Sequence, residues 1–304
     1  MPRMRRSPIA FFGLVLFFWA PAAAHAANTQ TVLDGLRKAM LERSIGSITS
    51  IHTVGNIEVL GLHGRVQEWA DVRGSRFTTA QTAGALSGAA GWDGKTAWNQ
   101  DYSGLVTIDG GAAGRLQAID QAYLDNLRYL RPDAGGATIV YAGRRQEGGK
   151  PYDVLAVSPP QGTEVDLWVD PETRLIAHET ATIGLVTFTT TLSSYRHIDG
   201  VNYPLSTVLQ TSEGNSSTVR ISSLELNTDV AERMRVPGSS VHDASIAGHP
   251  STTVPLQIVN NHIYVNVMVN GRGPYTFVMD TGGDYILTPE VAQALQAKSS
   301  GGLQ

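Results

Sequence analysis

The sequence contains no cysteine among its 304 residues. Disulfide bonds are therefore excluded, and so are zinc sites built on cysteine ligands. A bacterial lipid anchor attached to an N-terminal cysteine is excluded as well. Packing alone has to hold the fold, and a chain of this length with 42% hydrophobic residues has material for roughly two domains.

Long hydrophobic runs are also scarce. The one clear run, Ile9–Ala20, follows three arginines and precedes a stretch rich in alanine. This order is typical of a secretory signal peptide, which we predict over residues 1–26, with Ala24–Ala26 fitting the cleavage rule. The alternative is a membrane anchor, but a helix of this length spans only about 18 Å, against about 30 Å for a bilayer core. We expect a periplasmic or secreted protein that is soluble once the signal peptide is removed.

Positive charge is in short supply too. The predicted signal peptide holds three of the 23 basic residues and no acidic one, so 20 basic residues face 27 acidic ones and the net charge is near −7. Such a balance argues against a nucleic-acid partner. The eight histidines show no metal-ligand spacing, and we expect neither a metal nor another cofactor.

Short alternating or β-branched runs dominate the chain from about residue 45 to residue 230. Turn residues separate them, as in Asp170–Arg174 and His197–Pro204. Helical spacing occurs at Thr31–Leu41 and again over residues 112–130. We therefore predict a mainly β fold, in which residues 27–230 form an antiparallel half-barrel sheet with one or two helices.

Three segments of this region carry a family resemblance: GWDGKTAWNQD, VDLWVDPETRLI and YRHIDGVNYP. They resemble the curved half-barrel shared by outer-membrane lipoprotein carriers and periplasmic lipoprotein-sensing domains. The resemblance implies a lipid or lipoprotein partner, although none of the three segments identifies a ligand. Trp69, Trp92, Trp98 and Trp168 either line a lipid-binding concavity or pack in the sheet core.

A different pattern begins after residues 231–253, which are rich in Pro, Gly, Ser and Thr and are predicted to be a linker. Over residues 254–304 the pattern predicts three strands and a helix capped by Thr288. The predicted strands are Leu256–Val259, His262–Val269 and Tyr275–Met279. The last of them leads into the stretch TFVMDTGGDYIL, where an acid ends an apolar strand and glycines follow.

This part of the chain resembles the retropepsin-like aspartic proteases, in particular their bacterial exported relatives. The resemblance lies in the order of a strand, an N-G-x-G-P turn, a second strand, the D-T-G motif and a short helix. The resemblance implies the start of an aspartic-protease β-barrel half, with Asp280 as a catalytic carboxylate. It further implies that Thr281 and Gly282 support the catalytic loop and that Gly283 and Asp284 contact a peptide or protein substrate. The alternative is a turn at a strand end, where Asp and Gly are common.

Aspartic proteases use two carboxylates about 3 Å apart that share a proton and activate a water molecule. No second D-T-G or D-S-G occurs, so the other carboxylate has to come from a second copy or from absent sequence. We read residues 254–304 either as part of a longer protein or as a truncated, inactive relative. Two functions follow: an exported aspartic endopeptidase, or a periplasmic lipid- or lipoprotein-binding module with a vestigial protease tail.

Overall fold

The computed structural model describes residues 22–240, 246, 248, 251–279 and 287–297. Its main feature is a 13-stranded antiparallel sheet in the order β6-β5-β4-β3-β2-β1-β13-β12-β11-β10-β9-β8-β7. Two meanders, β1 to β6 and β7 to β13, are joined where β1 pairs with β13. In chain order the strands are β1 (Ile51–Val59), β2 (Leu62–Asp71), β3 (Arg76–Thr82), β4 (Gly88–Trp92), β5 (Ala97–Gln100), β6 (Val106–Ile108), β7 (Thr138–Glu147), β8 (Lys150–Ser158), β9 (Val165–Val169), β10 (Ile176–Ile183), β11 (Val186–Ile198), β12 (Val201–Thr211) and β13 (Ser216–Leu226).

Tight turns explain why successive strands pair. Asp199 and Gly200, between β11 and β12, both have positive φ angles, 48° and 78°. Leu60 and Gly61, between β1 and β2, have φ angles of 48° and 72°. Two consecutive residues with positive φ angles give a turn whose twist matches that of the two paired strands. Asp and Gly are favoured at such positions because they adopt positive φ angles readily. The predicted mainly β fold, an open antiparallel half-barrel, is confirmed.

Two helices pack against this sheet. α1 (Ala22–Met40) buries Val32, Leu33, Leu36 and Met40, at the helical spacing seen in the sequence. These side chains form the main core together with buried residues of β8 and β9, among them Leu155 and Leu167. No helix in the described ranges is long and apolar enough to cross a membrane.

α2 (Ala112–Asp125) is shorter than the helix predicted over residues 112–130, so that prediction was wrong at its C-terminal end. The Asn126 side chain donates to the carbonyls of Ala122, at 2.7 Å, and Arg76, at 3.1 Å. Leu127 then takes a left-handed conformation with a φ angle of 50°. Because this conformation cannot continue an α-helix, residues 128–130 form a separate 3-10 turn.

The chain stays in contact with the sheet after β13 ends. Residues 231–234 form a 3-10 turn in which Met234 is only 1% exposed and packs with Trp69 and Val230. The Arg233 guanidinium lies 4.8 Å from the centre of the Trp69 ring. Further on, the Ser239 hydroxyl accepts a hydrogen bond of 3.0 Å from the Val106 amide of β6.

A second, three-stranded antiparallel sheet has the order β14-β15-β16 and is followed by a short helix. The first two strands have the bounds that the sequence pattern predicts. The third was predicted at Tyr275–Met279 but begins at Arg272 and ends at Val278, because Val269 pairs with Arg272 and the turn is limited to Asn270 and Gly271. Thr288 caps the helix by accepting a hydrogen bond from the Val291 amide at 3.4 Å. The elements are β14 (Leu256–Val259), β15 (His262–Val269), β16 (Arg272–Val278) and α3 (Pro289–Leu295).

Candidate functional site

The register of the large sheet lines up three apolar side chains and one threonine from strands that are distant in sequence. Ile57 of β1 lies opposite Val219 of β13, which lies opposite Thr207 of β12, which lies opposite Leu192 of β11. Directly opposite residues point to the same side of a sheet. These four side chains therefore form a row across one face, which we call the concave face.

A cavity of about 400 Å³ lies between the concave face and α2. The sheet supplies the row just described, and α2 supplies Gln117, Gln121 and Leu124. Met40, the last residue of α1, lies at the same cavity. This volume falls within the range of about 300–1,000 Å³ that is usual for small-molecule sites in proteins.

The apolar side chains of this cavity are incompletely packed. Phe188, Leu192 and Leu209 are half-buried, whereas Leu155 and Leu167 in the core beneath α1 are fully buried. Half-buried positions continue along most of β11 and β12. α2 therefore covers the concave face only in part, and apolar surface is left for another molecule to cover.

Three carboxyl groups reach this cavity from three different elements: Glu68 from β2, Asp125 from α2 and Glu179 from β10. Burial raises the pKa of Glu68 and of Glu179 from the ordinary value of 4.5 to about 7. The pKa of Asp125 is raised well above its ordinary value by burial first, and then by the charges of Glu68 and Glu179. Among the described residues, no lysine, arginine or histidine lines the cavity.

Tyrosines complete the polar part of the cavity. The Tyr195 hydroxyl donates a hydrogen bond of 2.8 Å to the carbonyl of Ile176. Burial raises the pKa of Tyr195 and of Tyr203, and the neighbouring Glu179 charge raises both further. Both phenols are therefore neutral at physiological pH and leave the carboxyl groups as the titrating groups of the cavity.

Asp120, a fourth acid at the cavity, has a structural partner. Its carboxylate accepts hydrogen bonds from the Thr163 amide, at 2.9 Å, and from the Thr163 hydroxyl. Burial raises the pKa of Asp120, and these two hydrogen bonds lower it. Because Thr163 lies between β8 and β9, this contact ties α2 to the sheet that it covers.

The four tryptophans named above do not line this cavity, so they favour the packing interpretation. Trp69 stacks on His52 with ring centres 5.1 Å apart, and Trp168 meets the edge of Tyr152 at 6.0 Å. Trp92 and Trp98 are buried. Side chains alternate along a strand, so Trp69 points away from the face that its neighbour Glu68 occupies.

Sequence reasoning missed the acids of the cavity, although the sequence holds a signal for one of them. Glu68 lies two residues from Val66 and two from Ala70, and both of those are buried. With side chains alternating along a strand, the three residues face the same side. An acid at an inward-facing strand position marks either a buried ion pair or a site.

The residues assigned to the protease motif lie outside the described part of the chain. They are Asp280, Thr281, Gly282, Gly283 and Asp284, between the end of β16 and Leu287. Their proposed roles stay predictions. What the structure describes on either side is β16, which ends at Val278, and α3, which begins at Pro289.

No protein-family model matches this chain. No curated protein sequence matches it either. Solved structures do match it. One of them is a Vibrio parahaemolyticus domain assigned as an outer membrane lipoprotein-sorting protein. Its sequence identity to this chain is 13% and its TM-score is 0.47, and the match covers 68% of this chain and 94% of that one.

Two further solved structures are similar over the same share of this chain. One is a LolA superfamily protein from Nitrosomonas europaea, at 14% identity and a TM-score of 0.47, covering 68% of this chain and 97% of that one. The other is the Mycobacterium tuberculosis lipoprotein LppX, at 12% identity and a TM-score of 0.27, covering 68% and 99%.

Proposed function

We propose that the half-barrel is an exported, periplasmic or secreted binding module whose cavity under α2 takes an amphiphile, such as a lipid or the acyl chain of a lipoprotein. The observation that carries this proposal is the cavity of about 400 Å³ with half-buried apolar side chains on its sheet side. Burial of apolar surface is worth about 25 cal/mol per Å², so covering this lining with an acyl chain favours binding.

The lining is divided in a way that suits an amphiphile. Ile57, Leu192 and Val219 lie together in the apolar row of the concave face. On the opposite side of the cavity, α2 contributes the polar side chains of Gln117 and Gln121. A chain lying along the row with its polar end towards α2 satisfies both parts of the lining.

The test uses two neighbouring positions of β10 that face opposite sides. Ala181 lines the cavity, whereas Thr182 is exposed. Ala181→Trp fills part of the cavity with an indole, and Thr182→Trp is the matched control. Titration of the full chain with N-phenyl-1-naphthylamine, a probe whose fluorescence rises in apolar sites, should give saturable binding that monolauroylglycerol displaces.

We expect Ala181→Trp to weaken probe binding by about tenfold or more, which corresponds to about 1.4 kcal/mol. Thr182→Trp should bind as the parent chain does. Absence of saturable binding in the parent chain, or equal binding by both variants, contradicts the proposal that this cavity is the site.

A second candidate function, an aspartic endopeptidase, is supported by a different part of the chain. Along the chain, β14, β15 and β16 precede the D-T-G motif and α3 follows it, which is the order that the retropepsin-like resemblance implies. The function requires a second carboxylate opposite Asp280, and we propose that a second copy of this chain supplies it.

The apolar face of the small sheet supports a partner of this kind. Leu256 lies opposite Val265, which lies opposite Phe277, and on the same face Ile258 lies opposite Ile263. Ile258 is 68% exposed, and Leu256 is exposed as well. Apolar strands left uncovered favour pairing with another chain.

Cleavage of a denatured protein tests the peptidase proposal. The full chain should cleave it in a pepstatin-sensitive reaction, and Asp280→Asn should reduce the rate by at least about a thousandfold, as loss of a central catalytic group does. Asp229→Asn, before β14 and outside the motif, should retain the rate. Cleavage that survives Asp280→Asn, or no cleavage by the parent chain, overturns this proposal.

A further inference from the structure

The distribution of charge in the cavity is one-sided. Every element that borders it and carries a charged side chain there contributes an acid: β2 contributes Glu68, α2 contributes Asp120 and Asp125, and β10 contributes Glu179. The remaining titratable groups at this site are the neutral phenols of Tyr129, Tyr195 and Tyr203. Within the part of the chain that the structure describes, no basic side chain forms an ion pair with Glu68, Asp125 or Glu179.

Asp125 gives an independent sign that a partner belongs here. One side of its carboxyl group is hydrogen-bonded by Gln121. Its other oxygen, Oδ2, is enclosed by the protein and has no hydrogen-bond donor among the described residues. A buried carboxylate oxygen without a donor costs free energy, and a ligand that carries N–H groups or positive charge removes this cost.

The acids meet because of the fold and not because of local sequence. Glu68 and Glu179 lie on separate meanders of the sheet, and Asp125 is the last residue of α2. The charges of Glu68 and Glu179 both act on Asp125, so the three groups share one region of the cavity. Beside them lies the apolar row of the concave face.

We propose that the cavity selects amphiphiles with a cationic ammonium head, whose charge lies among Glu68, Asp125 and Glu179 while its apolar chain follows the concave face. This inference rests on the proposed binding function and names the class of ligand. Tyrosine rings at the same place add cation–π attraction for an ammonium group.

Ligands with a common dodecyl chain and different heads test the proposal on the full chain. The probes are dodecyltrimethylammonium, monolauroylglycerol and dodecanoate, below their micelle concentrations, at low salt and about pH 8. The cationic probe should bind at least about tenfold more tightly than the neutral one, and dodecanoate most weakly. The double variant Glu68→Gln with Glu179→Gln should lose this preference while still binding monolauroylglycerol.

Glu213→Gln, in the exposed turn between β12 and β13, is the matched control and should keep the preference. If the double variant does not fold, the pH profile of the parent chain replaces it. Dodecyltrimethylammonium has a fixed charge, so its affinity should rise by about tenfold between about pH 6 and about pH 8 as the acids ionise, whereas monolauroylglycerol should bind equally at both.

The outcomes separate the two proposals. Equal affinity for the cationic and neutral probes, or a cationic preference that survives the double variant, overturns the inference about the head group and leaves the binding function standing. Binding of none of the three probes overturns the binding function itself.

Discussion

Glu68 of β2 and Glu179 of β10 line the same cavity although four strands, β1, β13, β12 and β11, lie between them in the sheet. Neighbouring strands lie about 4.8 Å apart, so a flat sheet would hold these residues far from each other. The curvature of the half-barrel brings them to one cavity, and α2 adds Asp125 to the pair. The acidic character of the cavity is thus a consequence of the strand order and curvature of the sheet.

Stability should fall as pH rises through the neutral range. The pKa values of Glu68 and Glu179 are about 7 in the folded chain and near 4.5 when exposed, so the native state binds more protons between these values. Because one pKa unit corresponds to about 1.4 kcal/mol, the free energy of unfolding should decrease by about 5 kcal/mol from pH 4.5 to pH 7 and level off above about pH 8. Urea unfolding followed by tryptophan fluorescence measures it.

The double variant Glu68→Gln with Glu179→Gln is the control for this dependence of the free energy of unfolding on pH. Glutamine does not ionise, so the variant should be more stable than the parent chain at about pH 8 and similar to it at about pH 4.5. A parent chain whose stability rises steadily over this range contradicts the assignment of raised pKa values to these two acids.

The Asp120–Thr163 contact should hold α2 in place. Asp120→Ala removes the acceptor of two hydrogen bonds from the half-buried Thr163, and we expect a loss of about 1–3 kcal/mol in the free energy of unfolding. Glu164→Ala, at the exposed neighbour of Thr163, should change stability by less than about 0.5 kcal/mol. Equal effects of the two substitutions would show that the contact contributes nothing.

The segment after β13 should contribute to the stability of the large sheet. Met234 is almost fully buried against Trp69, so Met234→Ala should cost about 2–5 kcal/mol through lost burial and the cavity left behind. Glu232→Ala, on an exposed position of the same turn, is the control. Chemical denaturation of both variants measures the difference, and a Met234 variant as stable as the control contradicts the packing described.

Asp153 should stabilise the sheet edge, and its contribution should be lost as pH falls, whereas the stability linked to Glu68 and Glu179 is lost as pH rises. Burial raises its pKa, but hydrogen bonds from Arg144, at 2.9 Å, and Tyr141, at 3.0 Å, outweigh this and hold the pKa below the ordinary 3.8. Its contribution is present above about pH 4 and is lost as pH falls further. Asp153→Ala should cost about 1–3 kcal/mol near neutral pH. A cost that is unchanged at about pH 2 would contradict this account.

Local patterns in the sequence predict much of the fold. The turn at Asp199-Gly200, the helical spacing of α1 and the bounds of β14 and β15 all depend on residues close together in the chain, and each is found as predicted. β16 begins three residues before the predicted Tyr275. The end of α2 was predicted wrongly because Asn126 makes contacts with Arg76 of β3, which no local pattern reveals.

The candidate site was harder to predict for the same physical reason. The cavity depends on the pairing of β1 with β13, which closes a loop of more than a hundred residues. The alternation around Glu68 marks it as inward-facing, but only the curved sheet brings Glu179 and Asp125 to it. The catalytic role of Asp280, by contrast, stays a prediction from a local motif.

The cysteine-free sequence allows the most direct test of the central claim, that an amphiphile occupies the cavity under α2. A single thiol is introduced by Ala181→Cys, inside the cavity, or by Thr182→Cys, outside it, and its rate of reaction with iodoacetamide is measured with and without monolauroylglycerol. The account predicts that the lipid slows modification of the Ala181→Cys variant by about tenfold or more and leaves the Thr182→Cys variant unchanged. Equal rates with and without lipid at the Ala181→Cys position, under conditions where the lipid is bound, would contradict it.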